Sequence, residues 1–259
     1  MRWVSRFSHA KNNGRNRIPP DFPDTLRRLN HLIEQLRCRR YLEIGLGNGG
    51  TFDGVTAKIK VGVDPTPWNP AVLELKNVHC CTSDDYFRLH WHSGLQFDLI
   101  LLDGLHTAEQ TYRDFVNSLH FAHAKTVWLI DDVIPIDVYS ANPDSTEALR
   151  QREAATGRGD DLSWHGDVFK VVWMIRAFHP NATLRTFWPN QPQALVYFNA
   201  PAASSTPVST TSLKEIGALT YDDTVTRRAD YNIRDDAEII AECVAAQRKN
   251  KMLRYRREH

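Results

Sequence analysis

The run FDLILLDGLH, residues 97–106, ends a strongly apolar stretch in Asp103 and Gly104, with His106 three residues past the acid. Capping a following helix would need only the acid. A second apolar run, KTVWLIDD (125–132), closes on the pair Asp131-Asp132. If both runs are neighbouring strands of a parallel sheet, their C-terminal ends face one ligand crevice. Three carboxylates gathered there would form a hard-oxygen pocket suited to Mg²⁺ or another hard divalent cation. Such a cation binds a pair of vicinal hydroxyls and lowers the pKa of one of them. A histidine beside it can then take the proton. The plainer alternative is that Asp103 and Asp132 only cap helices in a metal-free protein, with His106 an ordinary capping or surface histidine.

A third set of residues lies upstream. YLEIGLGNGGTF (41–52) runs from a buried strand through Glu43 into Gly45, Gly47, Gly49 and Gly50. Glycines there permit positive φ and let backbone approach a ligand closely, with a nucleotide or amino-acid group set at the start of the next helix. Glu43, two residues before the first glycine, suits a nucleoside bearing an amino-acid tail, whose ammonium it can hold through water. Asp64 closes the next strand, where a carboxylate can take both ribose hydroxyls. A tight strand-to-helix turn without any ligand is the plain reading of the same glycines.

Positioning these residues requires a particular order of elements. Leu26, Leu29, Leu32, Ile33 and Leu36 recur at helical spacing over 22–37, with Asp24 as N-cap. Strands are expected at 40–46, 60–64, 77–82, 97–103 and 125–132, with helices near 51–59, from about Pro70, at 83–91 and over 106–122. This alternation predicts right-handed βαβ units and a mostly parallel sheet. Residues 134–163 read as a polar loop, a lid or substrate loop. A helix over 165–179 follows, then strands 183–189 and 193–199 joined by the turn NQP as an antiparallel closing hairpin. The Ser/Thr/Pro/Ala stretch 200–212 reads as a linker. A helix near 235–253 carries a partial stripe of Ile239, Ile240, Cys243, Val244 and Met252, expected to pack on the domain or on a second subunit. The division expected is therefore an arm and helix (1–37), one α/β domain (38–200), and a linker with a helical tail (201–259).

The formal net charge of the 259-residue chain is +1, which argues against a polyanion binder overall. The charge is uneven, with ten Lys/Arg against three acids in residues 1–40 and nine against six from Arg227 onward. Solvated basic surface is the plain reading of both ends. No apolar run is long enough to span a bilayer, and MRWVSRFSHAKNNGRNRIPP lacks a signal-peptide core, so a cytoplasmic protein is expected. Four cysteines without metal-finger spacing agree.

Taken together, EIGLGNG, an acid closing the second strand, and TSDDYF after the third resemble the class I S-adenosylmethionine (SAM)-dependent methyltransferases. The resemblance covers roughly 38–200. It implies a Rossmann-like seven-stranded sheet of order 3-2-1-4-5-7-6 with strand 7 antiparallel. It also implies Gly45, Gly47 and Gly49 along the methionine part of SAM, with Glu43 and Asp103 beside the cofactor. Asp64 falls on the ribose, and Ser83 with Asp84 or Asp85 near the adenine. DGLHTAEQTYRDF and IDD resemble the metal-dependent O-methyltransferases, in particular the sugar-modifying branch related to macrocin-type enzymes and cephalosporin-hydroxylase-like proteins. In that branch the aspartate binds metal and the histidine is the general base, which maps onto Asp103 and His106, with Asp132 and then Asp131 as further ligands. WHGDVFK (164–170) resembles another element of the group and would set His165, Asp167 or Lys170 near the acceptor. The implied reaction is O-methylation of a sugar or glycosylated small molecule. A NAD-linked oxidoreductase fits less well, because the glycine spacing is G-x-G-x-G-G and no second substrate domain is evident. A nucleic-acid methyltransferase or binding module using the basic ends is opposed by DGLH standing where an Asn/Asp-Pro-Pro-aromatic motif would be.

Overall fold

The structure, a computed structural model, describes residues 23–199 and 209–258. The N-terminal arm, most of the Ser/Thr/Pro linker and the side chain of Met252 lie outside the described residues.

In chain order, α1 (Pro23–Leu36) leads into β1 (Arg40–Ile44), α2 (Gly50–Gly54) and β2 (Ile59–Val63). A 3₁₀ turn at Pro70–Glu74 precedes β3 (Val78–His79), α3 (Ser83–His90), β4 (Phe97–Leu102) and α4 (Ala108–Ser118). There follow β5 (Ala122–Ile130), α5 (Ser145–Thr156), α6 (Lys170–Phe178), β6 (Ala182–Phe187) and β7 (Ala194–Phe198). The chain ends in α7 (Thr210–Gly217), α8 (Tyr221–Thr226), β8 (Ile233–Arg234) and α9 (Asp236–Glu258).

The strands form one sheet of order β3-β2-β1-β4-β5-β7-β6-β8. β1 through β5 are mutually parallel, and β7 runs antiparallel to both β5 and β6. This is the expected sheet, with one correction: an eighth strand of two residues pairs with β6. Two residues carry too little pattern to read from sequence. The runs RYLEI, FDLILL and ALVYF are nearly continuous in apolar character because both sheet faces are covered. One core on the α3, α4 and α6 side contains Leu102, Phe115, Trp128 and Val172. The other, under α1 and α9, contains Leu29, Leu32, Leu101, Leu129, Ile239 and Cys243. The tail helix thus packs back on the domain, and its apolar stripe is what holds it there.

Several elements differ from expectation, among them α7 and α8, which lie where a linker and a stretch without helices were expected. The polar stretch 134–163 is not a structureless loop, since it contains α5. That helix buries only Ala148 and Arg152, so it shows no apolar stripe. Its legible signals were its ends, Asp144 accepting from the Glu147 amide and Gly157 in the left-handed region at the C-cap. α2 stops at Gly54 rather than near 59, because Val55 already has extended backbone. The third strand shrinks to Val78–His79.

Candidate active site

Four strand ends finish in line. Ile44 pairs with Val63 on one side and Leu102 on the other, and Leu102 pairs with Ile130. The next residues, Gly45, Asp64, Asp103 and Asp131, therefore emerge side by side at the C-terminal edge, where parallel sheets receive ligands. The amides of Gly45, Asp103 and Asp131 continue the ladder onto Val63, Ile44 and Leu102 carbonyls. Gly45 has φ +85°, and a Cβ there would lie 1.8 Å from the Asp103 carbonyl oxygen. Only glycine fits where the first loop crosses the end of β4.

These ends floor a cleft of about 1040 Å³. On its β1–β2 side stand Glu43, Gly45, Gly47, Asp64, Ser83 and Asp84. Glu43 is buried and accepts from the Tyr41 hydroxyl at 2.6 Å. Asp64 Oδ2 accepts from the Leu46 amide at 2.8 Å, and its Oδ1 from the Thr66 amide at 2.8 Å. The second-strand acid is thereby the strut that shapes the glycine loop. Gly49 does not line the cleft; it caps α2 at φ +82°, packed on Val72. Of the acid pair after β3, Asp84 faces the cleft and pairs with Arg113 at 3.0 Å. Asp85 turns outward, bonded to Thr82 and Arg88. Ser83 Oγ accepts from Gln110 Nε2 at 3.1 Å.

On the β4–β5 side, Asp103, His106 and Asp132 come together, with one ligand atom from each inside a mutual 4.8 Å. His106 Nε2 lies 3.6 Å from Asp103 Oδ1, and Nδ1 lies 3.1 Å from Asp132 Oδ2. Nδ1 is also 2.9 Å from the Trp164 carbonyl. A carbonyl can only accept, so Nδ1 carries the proton, and Nε2 is the ring atom left to take a proton or bind a cation. Asp132 adopts φ +61°, and this left-handed step folds its carboxylate back toward His106 instead of onward from β5.

Asp131 does not join the cluster, although it was expected there. It is buried, with Oδ1 accepting from the Asp132 amide at 2.9 Å and Oδ2 from Gln193 Nε2 at 3.0 Å. The left-handed step at Asp132 turns that carboxylate toward His106 and leaves Asp131 on its own buried partners. Burial first, then the charges of Asp103 and Asp132, push its carboxyl well above the usual range. Burial and Asp103 likewise raise Asp132, while His106 opposes the rise. Burial disfavours a charged His106 ring, but Asp132 and Asp103 outweigh it and carry the imidazole up to about 10. The corner therefore holds more negative charge than its own groups settle.

The element WHGD clasps His106 from above. Trp164 stacks on the ring, with centroids 4.9 Å apart, and supplies the carbonyl. Gly166 has φ +59° and approaches so closely that a Cβ would fall 1.5 Å from the His106 carbonyl oxygen. Asp167 accepts from the Ala108 amide at the start of α4 and pairs with Lys170. Asp167 and Lys170 are thus fastenings, and only His165 of the three residues expected near the acceptor lines the cleft. Its Nε2 is 3.8 Å from Asp132 Oδ1, and burial lowers its pKa to about 4.

Of the remaining walls, sequence reasoning named only one, the 134–163 segment read as a lid or substrate loop, and missed the other. Trp188–Pro192, between β6 and β7, forms one wall, and Ile136 with Leu162–Trp164 another. Each is held from behind by an arginine only 1% exposed. Arg28 donates to the Asn190 and Gln191 carbonyls and to Gln193 Oε1. Arg152 donates to the Asp161 and Ser163 carbonyls and to Asp137. A lone arginine on the apolar face of α1 was the one readable sign of the first clamp.

Residues 61–133 match the family described as Methyltransferase domain. Among solved structures, cofactor-bound Rv0187 from MTB is 19% identical with a TM-score of 0.49, over 68% of this chain and 80% of that one. The O-methyltransferase from Bacillus cereus in complex with SAH is 15% identical with a TM-score of 0.46, over 67% and 80%. The O-methyltransferase TomG from Streptomyces achromogenes, solved with SAM, is 16% identical with a TM-score of 0.44, over 66% and 78%. No curated protein matches. Among the described residues no helix is long and apolar enough to cross a membrane.

Proposed function

With its central segment matched to a methyltransferase domain, the chain is one we propose to be a SAM-dependent O-methyltransferase assisted by a divalent cation. The observation that carries this reading is the in-line set of strand ends, which puts a glycine loop and its acid in one cleft with Asp103, His106 and Asp132. The glycine loop, Glu43 and Asp64 would hold the amino-acid and ribose parts of SAM, and Ser83 with Asp84 would meet the adenine. Binding there would require the Asp64 carboxylate to share its oxygens between loop amides and ligand hydroxyls.

Asp103 and Asp132 supply carboxylate oxygens of the kind hard dications take, and their mutual repulsion is what a cation would relieve. A bound dication would contribute charge stabilisation of an ionising acceptor hydroxyl. His106, fixed by Trp164, would take that hydroxyl's proton on Nε2, and SAM, when bound, would supply the methyl group to the oxygen so freed. The walls would hold the acceptor's hydroxyl beside His106, and such positioning is where much of the rate comes from. A sugar or glycoside, with its vicinal hydroxyls, is the acceptor this corner suits, as in the macrocin-type branch that DGLH and IDD resemble.

The test is calorimetry of SAH and Mg²⁺ binding, followed by an acceptor screen that reads SAH release. His106→Ala should keep SAH affinity and lose most turnover. Turnover that survives EDTA would remove the cation from the proposal, and NAD binding in place of SAH would remove the whole of it.

A further inference from the structure

The part of the cleft beyond the glycine loop is unusual in its charge. Eight carboxylates line the whole cleft, and among the described residues that line it there is no lysine or arginine. Its two histidines both belong to the cation corner: His106 lies between Asp103 and Asp132, and His165 Nε2 is 3.8 Å from Asp132 Oδ1. The cations nearest to hand are engaged elsewhere: Arg28 and Arg152 on backbone carbonyls behind the walls, Lys170 on Asp167 and the Gly217 carbonyl, Arg113 on Asp84 and Glu109, and Arg228 against the face of the Trp188 ring at 4.0 Å.

A helix start is the other common seat for an anion, because its free amides point outward. Here that seat is filled by the protein itself. At α4, which opens beside His106, the Ala108 amide is taken by Asp167 Oδ1 at 2.7 Å and the Gln110 amide by Thr107. A phosphate, sulfonate or carboxylate on the acceptor would therefore lose hydration with no cationic side chain or open helix start to offset it. A dication between Asp103 and Asp132 changes this only for the atoms it contacts.

What the acceptor side offers instead is apolar surface. Leu105, Ile136, Leu162 and Trp188 are 58%, 53%, 43% and 41% exposed, and all four line this side of the cleft. Large apolar side chains left open at a concave site mark where a ligand's apolar body lies. Resting on the proposed function, we infer that the acceptor is an uncharged or cationic molecule with an apolar body, seated on Leu105, Ile136, Leu162 and Trp188, and that anionic acceptors are excluded. Phosphorylated sugars, nucleotide-linked sugars and thioesters of phosphate-bearing carriers fall outside this class.

The experiment uses three vicinal-diol probes of nearly one shape: 4-ethylcatechol (neutral), dopamine (cationic) and 3,4-dihydroxyphenylacetate (anionic). Each is titrated by calorimetry into the full chain loaded with SAH and Mg²⁺. The anion should bind about tenfold more weakly than the neutral probe, or worse, and the cation at least as well as the neutral one. Ile136→Lys, at an exposed position that the fold does not need, should close the gap by raising affinity for the anion alone. Leu162→Asn should weaken the neutral probe several-fold. Equal or tighter binding of the anion to the unaltered protein overturns the inference, as does failure of all three probes while SAH binds. Failure of SAH itself to bind instead sinks the methyltransferase reading beneath it.

Discussion

Cation binding at the Asp103–His106–Asp132 corner should displace a proton, and the structure says which one and over what range. His106 is held up to about 10 by Asp132 and Asp103, against the effect of burial. At neutral pH the cation-free ring is therefore an imidazolium, and an imidazolium can neither accept the acceptor's proton nor sit beside a dication. Each cation bound must expel one proton, so its affinity rises tenfold per pH unit until the ring's own titration is passed. Burial and Asp103 also raise Asp132, to about 7, so the clean window lies on the alkaline side of that value. From pH 7.5 to 9 the Mg²⁺ affinity should improve roughly 30-fold and level off as pH passes the His106 value. Calorimetry in buffers of different ionisation enthalpy reads this directly, as about one proton released per Mg²⁺ at pH 8. His106→Gln should abolish the release and flatten the profile. An affinity independent of pH in the unaltered protein, or a slope that His106→Gln leaves unchanged, would refute the reasoning.

Three further outcomes follow from the same geometry. Gly166→Ala places a Cβ against the His106 carbonyl in a left-handed backbone, a strain of about 1–2 kcal/mol before any overlap is counted. The Trp164 clasp should retreat, cutting turnover by one to two orders of magnitude (about 10–100-fold) while SAH affinity holds. Loss of SAH binding along with turnover would mean the damage is general. Asp131→Asn should leave Mg²⁺ affinity nearly unchanged, because that carboxyl serves Gln193 and the Asp132 amide, whereas Asp132→Asn should remove it; the reverse pattern would exchange their roles. Arg28→Met leaves the buried partners of the guanidinium unmet and should cost about 3 kcal/mol. That is a fall in Tm of roughly 6–12 °C, read by calorimetry; a change under about 2 °C would show that the clamp is idle.

The sheet was legible because β1, β4, β5 and β7 are apolar on both faces, and no other arrangement buries such runs. Its ends were legible because acids and glycines interrupt those runs at one level. The choice between Asp131 and Asp132 was not, since sequence gives their adjacency but not the left-handed step at Asp132 that turns one of them back. Asp64 was read as the acid closing the second strand, and nothing in its type tells that it braces Leu46 and Thr66 through its own oxygens. The first wall, and the detailed shape of the second within the expected substrate loop, escaped for another reason. Trp188–Pro192 and Leu162–Trp164 have no periodicity of their own and are shaped by Arg28 and Arg152, whose partners are 163 and 9 residues away at the Gln191 and Asp161 carbonyls.

The first of those clamps ties the chain's two extremities to one wall. Arg28 on α1 bonds Asn190 and Gln191 in front and meets Asp236, the first residue of α9, at 3.0 Å behind. Arg27 reaches the same carboxylate at 2.7 Å. The tail places no described residue in the cleft, so trimming it before Asp236 would look harmless on a map of the lining. It would nonetheless strip the counter-charge from a buried guanidinium that shapes Trp188–Pro192. A shortened chain should therefore lose both the cover that Ile239 and Cys243 give one sheet face and the shape of the acceptor wall, a defect felt far from the cut.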